Sequence, residues 1–116
     1  MATIPLDRLA AHIGATLDET VRAVKISLFS GVIRDTRVDT GRLRGNWQTT
    51  TGAPAGASTQ NTSEAAALSG VQSVTTDRVD YLTNNLPYAA VWEEKDGMVA
   101  RNVARIERTI REQLRS

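Results

Sequence analysis

From Pro5 to about Arg34, apolar side chains return every three or four residues: Leu6, Leu9, Ile13, Leu17, Val21, Val24, Leu28 and Val32. That spacing keeps them on one stripe of an α-helix. Pro5 suits the first turn, where a missing N–H is no loss. An unbroken helix over this span would be roughly 45 Å long at about 1.5 Å per residue. A compact domain of about this size is only about 35 Å across. The pattern therefore predicts either a break at Gly14 or Gly31, or a helix that projects and packs against another subunit.

Beyond Arg34 the period changes. Asp35 to Gly41 reads as a connection, and from Gly45 to Thr51 the chain alternates, with Trp47, Thr49 and Thr51 on one face and Asn46, Gln48 and Thr50 on the other. Threonine-rich alternation is strand chemistry. Residues 52–62 are small and polar throughout, which predicts a mobile loop or an arm that orders on contact. Ser63 to Val71 suits a short helix, with Ser63 as cap and Glu64 in the first turn.

A second strand is expected from Arg78 to Asn84, where Val79, Tyr81 and Thr83 alternate with Asp80, Leu82 and Asn84, and Asn84-Asn85 ends it. Pro87 then opens a helical turn carrying Tyr88, Val91 and Trp92. From about Met98 to Leu114 the helical period returns, with Val99, Val103, Ile106, Ile110 and Leu114 on one face. Arg101, Arg105, Arg108, Arg111, Glu112 and Arg115 fall opposite, and Glu107 and Arg111 make an i,i+4 pair. The expected fold is α+β, as one domain over 1–116. A long N-terminal helix and a C-terminal helix pack on a small antiparallel sheet that carries a long mobile loop.

Four of the five aromatic residues, Trp47, Tyr81, Tyr88 and Trp92, fall in two short segments. Trp47 and Tyr81 suit the core of the sheet. Tyr88 and Trp92, four apart, share a helical face and either pack inward or anchor a partner.

Composition narrows the chemistry. With no cysteine and one histidine, His12, there are no disulfides, thiolate ligands or cysteine nucleophiles, and any Ser-His triad must use that one imidazole. His12 borders the apolar stripe with no partner near it in sequence, so a surface or helix-packing role is expected, and no metal or cofactor. No apolar run has the length of a signal peptide or membrane span, so a soluble protein made inside the cell is expected, with no membrane partner. The formal charge of +1 lacks the basic excess of a dedicated duplex binder.

One tripeptide suggests an enzyme. Asp39-Thr40-Gly41 is spelled like the catalytic turn of a dimeric aspartic protease, in which two buried carboxylates share a proton. That chemistry wants apolar strand before the Asp and a small residue after the Gly. Here Arg37 precedes and Arg42 follows, and a helix is expected from Met98 onward where strands are required. The better reading is a turn: Asp39 and Thr40 bond back to the backbone, and Gly41 takes a positive φ. Such a turn places Leu43 and Trp47 on the core side of the following strand, and Arg42 and Arg44 on the other side, open to an acidic neighbour. No catalytic residue is expected.

The stretch Val38-Asp39-Thr40-Gly41-Arg42-Leu43-Arg44-Gly45-Asn46-Trp47 resembles the motif after the first helix of tail-completion proteins, the head–tail joining or neck proteins of long-tailed bacteriophages. Tyr81-Leu82-Thr83-Asn84-Asn85-Leu86-Pro87-Tyr88-Ala89 is similar to that family's strand-to-turn segment, with a variable small-residue loop between the two blocks. Where the family usually has a Leu-Glu-Tyr-Gly-like stretch, this chain has Val91-Trp92-Glu93-Glu94, and Gly97-Met98-Val99 follows almost at once. The loop between them is therefore shortened.

The resemblance spans about Val38 to Val99 and implies a structural virion protein in the neck. Such a subunit assembles with its own copies into a ring, usually six-fold, between the head-side connector or stopper and the end of the tail tube. Passing contact with lumenal DNA is implied, and assembly takes place in the host cytoplasm. A tail terminator that caps the tube is the alternative within the same class. A small nucleic-acid-binding regulator using the arginine-rich last helix is the alternative outside it.

Overall fold

The computed structural model describes residues 5–38 and 41–115. Asp39 and Thr40 therefore lie outside the described residues. The elements run α1 (Leu6–Ile13), α2 (Leu17–Asp35), α3 (Arg42–Gly45), β1 (Gln48–Thr51), α4 (Glu64–Val71), β2 (Asp80–Thr83), α5 (Ala89–Asp96) and α6 (Met98–Arg115). Helices and a two-stranded antiparallel sheet make the α+β fold expected, with helix far outweighing strand.

The long apolar stripe is broken at Gly14. Gly14 sits at φ +73°, where its N–H and that of Ala15 both donate to the Ala10 carbonyl and close α1. Thr16 then caps α2: its hydroxyl accepts from the Glu19 N–H at 3.1 Å and donates to the Glu19 carboxylate at 3.0 Å. The break turns the stripe in two directions. Leu9 packs with Ile106 and Ile110 of α6, with Leu6, Val24, Leu28 and Leu114 around them. Ile13 and Leu17, expected on the buried stripe, stand exposed at the corner. No break occurs at Gly31, where the missing side chain lets α6 approach; a Cβ there would collide with the Asn102 and Arg105 side chains.

The main core collects Val32 and Ile33 of α2, Trp47, Ala67 and Val71 of α4, and Met98 of α6, with Leu82 and Trp92 packed against it. In the sheet Gln48 faces Thr83, Thr49 faces Leu82, Thr50 faces Tyr81 and Thr51 faces Asp80. Alternation puts Leu82 on the core side. Tyr81, expected in the core, is half-buried on the opposite face.

Two other expectations change. Arg42 to Gly45 wind into a helical turn before the strand begins at Gln48. Leu43 and Trp47 are still both buried. On α6, Val99 and Val103 are exposed, whereas Arg105 turns inward and donates to the Ser27 carbonyl of α2 at 3.1 Å and to Asn102 Oδ1 at 3.2 Å. Arg101, Arg108, Arg111, Glu112 and Arg115 face solvent as expected. No helix is long and apolar enough to cross a membrane among the described residues.

Candidate functional site

The motif after α2 forms a clasp. Gly41, at φ +83°, and Gly45 leave room for the backbone of 61–62: a Cβ on Gly41 would lie 2.8 Å from the Thr62 carbonyl oxygen, and one on Gly45 would lie 2.6–2.7 Å from Asn61 and Thr62 backbone atoms. Asn46 is buried and ties the same two segments together. Its Nδ2 donates to the Arg42 carbonyl at 2.9 Å and the Asn61 carbonyl at 3.1 Å, while its Oδ1 accepts from the Thr59 N–H at 2.8 Å. Asn61 answers by donating to the Gly45 carbonyl at 2.9 Å. A buried amide satisfied on both sides is well placed to fix one geometry.

Trp47 and Arg44 join this clasp to the end of α2. The indole Nε1 donates to Thr36 Oγ1 at 2.8 Å, and that hydroxyl donates to the Val32 carbonyl at 2.7 Å. Arg44 spends its guanidinium on the carbonyls of Thr36 (2.9 Å) and Arg34 (2.8 Å), where a helix leaves acceptors unmet. It also meets Glu64 of α4 at 3.3 Å, the acidic neighbour expected of it, from within its own chain. Arg42 is half-buried on the same turn.

The second block locks onto the first. Asn84 Nδ2 donates to the Leu43 carbonyl at 2.7 Å, and its Oδ1 accepts from the Leu86 N–H. Leu43, Leu86 and Ala89 form a small buried cluster with Trp92 against it. Asn85 donates to the carbonyls of Ala55 and Ala57, and Gln48 to that of Ala57. The 52–62 segment thus has no helix or strand of its own but is tied along its length, at Ala53 by Thr50, at Ala55 and Ala57, at Thr59 and at Asn61. Its composition gave little sign of these ties, because at Ala53, Ala55, Ala57 and Thr59 the segment offers backbone carbonyls and an amide that any residue carries, while at Asn61 the side-chain amide contributes.

Of the remaining candidates, Pro87 and Tyr88 are exposed at the start of α5, and Trp92 is half-buried. The Arg37 guanidinium lies 3.9 Å from the Trp92 ring centroid and Lys95 Nζ 5.2 Å from it, both within cation–π range.

Sequence reasoning missed one site. The Asp80 carboxylate is wholly buried and meets Lys25 Nζ of α2 at 2.7 Å, Thr51 Oγ1 at 2.6 Å, and the N–H and hydroxyl of Thr75, both at 2.9 Å. Lys25 also donates to the carbonyls of Thr75 and Arg78. Burial pushes the Asp80 carboxyl up, but the Lys25 ammonium and the hydrogen bonds from Thr51 and Thr75 outweigh it and hold the group well below the usual carboxylate range. Lys25 and Asp80 stand fifty-five residues apart, beyond the reach of any local pattern.

The polar side chains of the clasp point at backbone rather than converge on a cavity, and no group of three or more His, Cys, Asp or Glu comes together among the described residues. No known family, curated protein or solved structure matches the chain.

Proposed function

We propose that this chain is a structural subunit of the neck of a long-tailed bacteriophage. In this reading it is a tail-completion or head–tail joining protein that acts as a ring, six-fold by resemblance, between the head-side connector and the end of the tail tube. The observation that carries the reading is the meeting of the two blocks. Asn84 of the second block holds the Leu43 carbonyl of the first, and Leu43, Leu86 and Ala89 share one buried cluster. A resemblance split between two distant stretches gains weight when both build one piece of structure. The hydrogen bonds of Asn46, Trp47, Arg44 and Asn84 position chain segments, which suits a part that works by binding. The exposed arginines of α6 suit acidic neighbours or lumenal DNA.

The test is to incubate the protein with isolated tails and with DNA-filled heads and to image both by electron microscopy. Ring-shaped density at a tail end or at the portal vertex is the expected result. Bare tails and bare heads would overturn the reading, and density confined to tube ends would move it to a tail terminator.

A further inference from the structure

Where α2 and α6 cross, their surfaces enclose a cavity of about 420 Å³, open to solvent on one side. Its wall is held by a chain of hydrogen bonds. Asn102 Nδ2 donates to the Asp35 carboxylate at 2.9 Å and to the Met98 carbonyl at 2.7 Å, and its Oδ1 accepts from Arg105 Nε at 3.2 Å. Arg105 Nη2 then donates to the Ser27 carbonyl at 3.1 Å. The guanidinium is thereby fixed in place beside the cavity, over Gly31.

Two groups in this wall are left with unused capacity. Arg105 donates once each through Nε, Nη1 and Nη2, the contact from Nη1 to Ser27 Oγ being a long 3.5 Å. One N–H therefore remains on each terminal nitrogen, and among the described residues no carboxylate lies within 4 Å of this half-buried charge. Ser30 is only 9% exposed and lines the same cavity, yet its hydroxyl meets no donor or acceptor among the described residues. A buried hydroxyl without a partner and a half-buried cation without a counter-charge both cost free energy, and one bound anion would relieve both. The surrounding charge has the matching sign. Arg34 stands exposed on the rim, and Arg101 and Arg108 lie one turn to either side of Arg105 on α6. Against them stand Asp35, already engaged by Asn102, and Glu112, one turn beyond Arg108. The Glu107 carboxylate is taken up by Arg111.

We infer that this cavity binds a phosphate group, carried either by a small phosphate ester or by a nucleic acid strand. Ser30 Oγ and the free N–H groups of Arg105 donate to its oxygens, and Arg34 approaches from the rim. A tetrahedral phosphate offers acceptors to donors on both helices at once, and a guanidinium pairs with two of its oxygens side by side. The inference rests on this cavity alone and holds with or without the neck reading.

NMR titration of the isotope-labelled chain with sodium phosphate at constant ionic strength is the test. Saturable shifts are expected at the Arg105 Nε–H and at the amides around Ser30, with none when sodium chloride replaces the phosphate. Ser30→Ala removes one oxygen and no hydrogen bond of the fold, and should weaken phosphate binding about tenfold with the rest of the spectrum unchanged. Arg105→Gln should abolish saturation; it also loses a tie to α2, so Ser30→Ala decides if that variant does not fold. Adenosine monophosphate and a thymidine oligonucleotide distinguish the two sources. Tighter binding of the oligonucleotide at the same residues, falling steeply as salt is raised, assigns the phosphate to a strand; tighter binding of the mononucleotide assigns it to a small ester. Either result supports the site. No saturable shift, shifts confined to other residues, or undiminished binding by Ser30→Ala would overturn it. So would binding of a polyglutamate peptide with no binding of phosphate, which would give the cavity to an acidic protein segment.

Discussion

Replacing Lys25 by Met keeps most of the side-chain volume and removes the ammonium. Three donations disappear, to Thr75, Arg78 and Asp80, and a carboxylate with no exposed surface is left without its counter-charge. Breaking a buried ion pair from one side generally destabilises by about 3–5 kcal/mol. Asp80 keeps its bonds from Thr51 and Thr75, and Lys25 is itself 23% exposed, so the lower figure, about 3 kcal/mol, applies. Against a total stability of roughly 6–17 kcal/mol for a chain of this length, that is a large fraction. It corresponds to a fall in Tm of about 12 °C, taking about 4 °C per kcal/mol.

Urea denaturation at neutral and acid pH is the assay, and the sign of the pH effect is part of the prediction. In the unaltered protein the folded Asp80 pKa is depressed, so its contribution is complete above the ordinary value of 3.8 and is lost as pH falls through the folded value. In Lys25→Met the strongest of the opposing influences is gone while the bonds from Thr51 and Thr75 remain, so Asp80 takes up its proton at a higher pH than in the parent and the variant recovers part of its loss there. The gap between the two therefore narrows as pH is lowered from neutral into the acid range. The double variant with Asp80→Asn should lose less than the sum of the single losses by at least about 1 kcal/mol. A loss in Lys25→Met below about 1 kcal/mol, the range of an exposed pair, or a gap that ignores pH, would refute the buried-pair account.

Gly45→Ala forces a Cβ onto the backbone of Asn61 and Thr62; a loss of about 1–3 kcal/mol is expected in urea denaturation, with faster hydrogen exchange at the Thr59 amide. Thr36→Val leaves the buried Trp47 indole N–H without its acceptor and should destabilise by about 1–3 kcal/mol, while Thr36→Ser stays close to the parent in the same titration. Thr49 Oγ1 is buried and meets no donor or acceptor among the described residues, so Thr49→Val should raise stability by about 1 kcal/mol, read as a higher urea midpoint at unchanged slope.

Some elements were legible because two signals agreed. Ser63 and Glu64 marked the start of α4, and the Ser63 hydroxyl does accept from the Ala66 N–H at 3.1 Å. The break at Gly14 had the same kind of signal in Thr16-Leu17-Asp18-Glu19, a capping box, but the apolar period ran straight through it and hid the cap. Leu43 and Trp47 show why burial can be read correctly with the wrong element. A separation of four residues falls on one face in a strand and in a helix alike, so spacing alone did not distinguish them. In β2 alternation fixed which residues share a face but not which face is inward. Tyr81 looked the better core residue, yet Leu82 and the buried Asp80 take that side. The ties on the 52–62 segment had no local signature beyond Asn61, because the other groups it offers are backbone carbonyls and an amide.

The clasp bears on the neck reading through geometry. A head-to-tail ring closes only if each subunit turns the chain through the same angle, so a subunit that flexes between its two faces yields open or irregular assemblies. Here the end of α2 and the start of α5 are joined by Arg44 and Trp47 at the C-terminal end of α2 and by Asn84 between the two blocks. The buried residues of the two resembling blocks are therefore those that hold the segments of the subunit in register. Gly41, the last residue of the Asp-Thr-Gly spelling, opens this clasp. Gly41 has the positive φ of a tight turn, but the chain then winds through Arg42–Gly45 against 61–62, and its polar side chains are spent on holding segments in register. In the neck reading, substitutions in the clasp should consequently disturb assembly by changing the shape of the subunit, seen as irregular or open assemblies by electron microscopy.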